Sequence, residues 1–131
     1  MSLTCFFLLP SFEYMIDKKD ILFYTTSIEM VLKELRRKKG MSQGKMSGLS
    51  QSDVNIEFAQ KYEVTINMGR MESKPNFGMT KLLYLCDYFE ISTIDFFKRV
   101  LSKEKNEIIE FIKAKEEEKR KRKRRKKQIS K

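Results

Sequence analysis

From residue 26 to residue 118 the apolar residues recur three and four positions apart, in short runs that start at Ser or Thr and break at Gly or Pro. That spacing is the helical period; a half-buried strand would alternate every second residue. It limits the chain to short amphipathic helices around a shared core. A length of 131 residues supplies one modest core rather than two. The chain has only two prolines, and of these Pro75 alone falls within the pattern.

Five helices are expected in this stretch. The first covers Ser27 to Lys39, with Thr26 and Glu29 as a capping box, Ile28, Val31, Leu32 and Leu35 facing inward, and Gly40 as its stop. Residues 40–49 read as a loop. Two strings there, Gly40-Met41-Ser42-Gln43 and Gly48-Leu49-Ser50-Gln51, could each open the next helix. A start at Ser42 would place Gly44 and Gly48 inside the helix, each costing about 1 kcal/mol relative to Ala. Ser50, with Asp53 as its box partner, avoids that cost, and Val54, Phe58, Ala59 and Tyr62 form the inward stripe. A third, short helix runs from Thr65 to Ser73 with Thr65 as cap and Met68 and Met71 inward. A fourth spans Met79 to Phe89, burying Met79, Leu82, Leu83, Cys86 and Phe89. Ser92 and Asp95 cap a fifth that buries Ile94, Phe97 and Leu101. From Ser102 a polar helix continues, with Leu101, Lys105, Ile108 and Ile112 along one side.

The net charge of +10 suggests nucleic acid, but its location matters. Lys119, Arg120, Lys121, Arg122, Lys123, Arg124, Arg125, Lys126 and Lys127 are an unbroken basic run, while residues 1–118 hold 18 basic and 18 acidic residues. The body is neutral, and a tail of this composition is expected to be disordered when unbound. The expected organisation is an arm at 1–26, a domain at 27–101, a C-terminal helix at 102–118 and a basic tail at 119–131.

Several function classes drop out. There is no His, no Gly-rich phosphate loop, no metal-spaced ligand set and no nucleophile beside a base, so neither an enzyme nor a cofactor is expected. The lone cysteines Cys5 and Cys86 suggest a reducing cytoplasm. The apolar stretch at 5–9 is too short for a signal peptide and has no basic residue before it. No segment reaches the roughly 18 apolar residues of a membrane span.

The order of particular residues adds to this. Leu32 to Gly40, then Leu49-Ser50-Gln51, then Met68-Gly69-Arg70-Met71-Glu72-Ser73 and Pro75, then Leu82 to Ser92 and Asp95-Phe96-Phe97, resembles the Xre or Cro/repressor-type helix-turn-helix family. The resemblance covers about 75 of 131 residues. This chain departs from the family pattern in a loop about eight residues longer between the first two helices. It departs again at Glu63-Val64-Thr65, which stands where a turn glycine is usual. The resemblance implies an all-α, five-helix phage-repressor-like domain that reads double-stranded DNA with the helix near 65–73. It implies base contacts from Thr65, Ile66, Asn67 and Gly69, and phosphate contacts from Lys38, Gln51, Lys61, Arg70 and Lys74. The run at 119–127 would add salt-sensitive, sequence-independent attraction, and Glu116-Glu117-Glu118 could pair with it. Glu72 is expected to pair locally or with the basic end of the first helix. Two other readings stay open beside this one: a protein-interaction or antitoxin-like module on the same scaffold, and RNA binding through the tail. The 101–112 stripe fits packing against the fifth helix or a homodimer seam.

Overall fold

The computed structural model describes residues 17–129, and among these it is all-helical. The helices are α1 (Lys18–Ser42), α2 (Gln51–Tyr62), α3 (Met68–Ser73), α4 (Met79–Tyr88), α5 (Thr93–Ser102) and α6 (Lys105–Ile129). None is long and apolar enough to cross a membrane.

α1 begins at Lys18, not at Ser27, and takes in residues 18–26 of the expected arm, of which 1–16 lie outside the described residues. Asp17 is its N-cap: the Asp20 amide donates to Asp17 Oδ1 at 2.8 Å and the Asp20 side chain returns to the Asp17 amide. Thr26 and Glu29, read as a cap from the sequence, are instead buried in mid-helix. The Glu29 carboxylate is neutralised there by Lys33 at 3.2 Å and Lys115 at 2.7 Å. Gly40 does not stop the helix either. It sits where the returning loop crosses α1, and a Cβ on it would fall 2.2 Å from Leu49 N and 2.3 Å from Gly48 C. The glycine is there for that close approach.

Ser50 caps α2 as expected, with the full box to Asp53. α3 is shorter than expected: Thr65 and Ile66 lie ahead of it, and Asn67, not Thr65, is its N-cap, accepting from the Arg70 amide at 3.0 Å. In α4 the inward residues are Leu82, Leu85, Cys86 and Tyr88, while Met79 and Leu83 are exposed.

The largest correction of phase is in α5. Phe96 and Val100 are buried, while Ile94, Phe97 and Leu101 face out. Phe96-Phe97 and Val100-Leu101 are adjacent apolar pairs, so the period alone selects either stripe. Contact with α1 decides: the Ser27 hydroxyl donates to Val100 O at 2.5 Å on the inward side. The chain then turns at Lys103 and Glu104, and α6 is a separate helix. Residues 119–129, expected to be disordered, continue that helix to Ile129. Lys, Arg and Glu are good helix formers, and Glu117–Arg120 and Glu118–Arg122 pairs one turn apart join the acidic and basic runs.

The core lies between α1 and the α2–α5 layer, with Val31, Leu32, Val54, Phe58, Met68 and Phe96 almost fully enclosed. Phe58 anchors an aromatic cluster with Tyr62, Tyr84 and Tyr88 at centroid distances of 4.7, 6.3 and 6.0 Å. Tyr62 and Tyr88 donate to Asp87 and Glu57, joining α2 to α4. Among the described residues no buried side-chain polar atom lacks a partner.

Candidate nucleic-acid interface

α3 is held by one buried carboxylate. Glu72 is 1% exposed and receives Arg36 through Nε at 2.7 Å and Nη2 at 3.0 Å, a two-point pairing. Arg36 also donates Nη1 to Leu49 O at 2.6 Å, and Gln51 Nε2 donates to Glu72 Oε1 at 3.0 Å. One network thus ties α3 to α1, to the loop and to the first turn of α2. Of the two pairings expected for Glu72, local or with the basic end of the first helix, the second is the one present. At the other end of α3, the Met68 amide donates to Asn55 Oδ1 at 2.7 Å.

These anchors set which side of α3 faces solvent. Ile66, Met68 and Met71 turn into the core, whereas Thr65, Asn67, Arg70, Ser73 and Lys74 are exposed. Thr65, Asn67, Arg70 and Lys74 border an open groove of about 1070 Å³, which Asn76 and Lys81 close on the far side. Its lining contains three cations, Arg70, Lys74 and Lys81, and no acidic residue. The turn into α3 starts at Glu63, whose φ of 56° is the left-handed conformation that a glycine would adopt without strain.

The other candidates fall elsewhere. Ile66, expected to touch a thymine methyl, is 5% exposed and packs on the core, while its edge lines the same groove. Gly69 faces α2: a Cβ on it would lie 3.1 Å from Gln51 Oε1, so its bareness makes room for the Gln51–Glu72 contact. The Gln51 side chain is committed to that contact, leaving its backbone amide at the start of α2. Lys38 lines a separate groove with Lys98 and Arg99, and Lys61 pairs with Asp87 at 3.7 Å, so neither joins the α3 groove. Within the basic run, Lys119 and Arg122 line a second groove, of about 650 Å³, opposite Gln51, Gly69, Ser73 and Lys74. Arg120, Lys121 and Lys123 to Lys127 are exposed along the rest of α6.

Sequence reasoning missed Asn55, Asn76, Thr80 and Lys81 in the first groove. Asn55 lies one helical turn beyond Gln51, a detectable signal. The others arrive with the α3–α4 turn, whose path no periodicity encodes.

Two ionisable groups bear on chemistry. Hydrogen bonds from Ser50 hold the Asp53 carboxyl below its ordinary range, so it stays charged in the α2 cap. Burial pushes the Cys86 thiol up, which keeps it protonated. Among the described residues no group of His, Cys, Asp and Glu could hold a metal ion. Comparison with protein-family models, curated proteins and solved structures finds no match.

Proposed function

We propose that the chain is a sequence-specific DNA-binding transcriptional regulator in which α2 and α3 act as a helix-turn-helix pair of the repressor type. The observation that carries this reading is the acid-free groove beside α3, whose three cations line it with exposed Thr65 and Asn67 in a body whose net charge is zero. Clusters of that kind are what a phosphate backbone selects, with short polar side chains between them for base edges.

In this arrangement α3 enters the major groove by its N-terminal end. Asn67 Oδ1 is spent on the cap, so its Nδ2 is the part left to donate, to an acceptor such as purine N7 or guanine O6. The Thr65 hydroxyl stands beside it. Arg70, Lys74 and Lys81 take phosphates, and the Gln51 amide meets one at the start of α2. The basic run of α6 adds salt-sensitive attraction. A second reading, docking of another protein, is favoured by Ile94, Phe97 and Leu101, exposed side by side on α5. It places the partner away from the α3 groove and is compatible with DNA binding.

Selection of bound sequences from random duplexes tests the proposal, with Asn67→Asp as the key variant. Asp caps a helix as well as Asn, so the fold is retained, but its carboxylate faces base acceptors and phosphates. The wild-type protein should enrich one motif and Asn67→Asp should lose it. Absence of any motif, or an unchanged motif from the variant, would overturn the proposal.

A further inference from the structure

The second groove runs between α6 and the flank of the α2–α3 pair, and its charges do not balance locally. Three acids line it, and each already has a cation: Glu29 has Lys33 and Lys115, Glu72 has Arg36, and Glu118 has Arg122 at 3.5 Å. Lys74 and Lys119 enter the same groove from opposite walls, and neither has an acidic partner among the described residues. Two unpaired cations facing one space repel each other, a cost that an anion between them removes.

The placement of α6 is not incidental. Ile108, Phe111, Ile112, Lys115, Lys119 and Arg122 recur three and four apart, on one side of the helix. The first part of that side is fastened to α1. Ile108 is buried, the Lys33 ammonium lies 5.0 Å from the Phe111 ring centroid, and Lys115 pairs with Glu29. The docked side therefore delivers Lys119 and Arg122 to the groove, while Lys121 and Arg124, each two residues further on, point about 200° round the helix.

We infer that Lys119 and Arg122 of α6, with Lys74 after α3, form a clamp for one backbone phosphodiester of duplex DNA at the edge of the α3 surface. Lys74 belongs to both grooves, so the clamped phosphate and those met by Arg70 lie along one continuous strand path. The Glu118 carboxylate, held against Arg122 in the free protein, gives way to the phosphate. Most of the basic run is then a diffuse attraction, but two of its members are positioned. This rests on the DNA-binding reading proposed above.

The test is the salt dependence of binding to a labelled mixed-sequence duplex by the full chain and two matched doubles, K119Q/R122Q and K121Q/R124Q. Both remove the same charge at the same spacing from exposed sites. Each phosphate contact contributes about 0.9 to the slope of log affinity against log salt. The clamp, which holds one phosphate, predicts a slope reduced by about 0.9 in K119Q/R122Q and by clearly less than that in K121Q/R124Q. It also predicts that duplex shields Lys74 and Lys119, but not Lys121, from an amine-acylating reagent. Equal slopes for the two doubles, or equal acylation of the three lysines, would overturn it. A selective effect of K119Q/R122Q on single-stranded RNA alone would overturn it too. An Arg70→Gln variant separates the levels: if it weakens binding while the doubles behave alike, only the clamp fails; if it binds as tightly as wild type, the α3 reading fails.

Discussion

Glu72 is the residue on which the arrangement of α3 depends most. It is a buried carboxylate whose bonds come from Arg36 and Gln51. Removing one partner of a buried ion pair leaves the other charge without compensation, at a cost of about 3–5 kcal/mol. Glu72→Ala and Arg36→Ala are each expected to lower the stability to chemical denaturation by about that amount, and the double variant by less than their sum. Additive losses would show that the pair does not act as a unit. This contact was legible in sequence, because an acid at the end of a short helix and a basic first helix are natural partners. The burial of Ile66 was not. It stands between exposed Thr65 and exposed Asn67, and only the three-residue delay in the start of α3 turns it inward.

At the scale of elements, sequence signals held where a side chain closes its own local hydrogen bond. Ser50 with Asp53, and Ser92 with Asp95, mark α2 and α5 correctly. They misled at Thr26, where Asp17 offered an equally good box nine residues earlier, and tertiary packing absorbed Glu29 through Lys115 from a distant helix. The phase of α5 was illegible for a related reason: adjacent apolar pairs satisfy two stripes, and α1 chooses between them. Gly40 has the form of a stop but the function of a crossing point. Gly40→Ala should cost about 3 kcal/mol or more in thermal or denaturant unfolding, because the new methyl meets backbone on both sides rather than a movable side chain. A gain from that substitution, as expected of alanine in an open helix, would show that the loop does not pack where it is described.

The whole molecule joins a neutral helical body to a basic helix that begins at the body's own surface. Net charge alone could not have located an interface, since the run at 119–127 dominates it. What points to one is the distribution within the body, where Glu72, Asp53 and Asp87 are each held by a cation and the α3 groove is lined by Arg70, Lys74 and Lys81 without an acid. The central claim is that this groove, and not the basic run alone, receives DNA. Backbone amide shifts followed by NMR as duplex is added test it most directly. The largest changes should map to Asn55, to 65–74 and to Lys81, with a second set at Lys119 and Arg122. Changes confined to 119–129, with the α3 groove undisturbed, would contradict it.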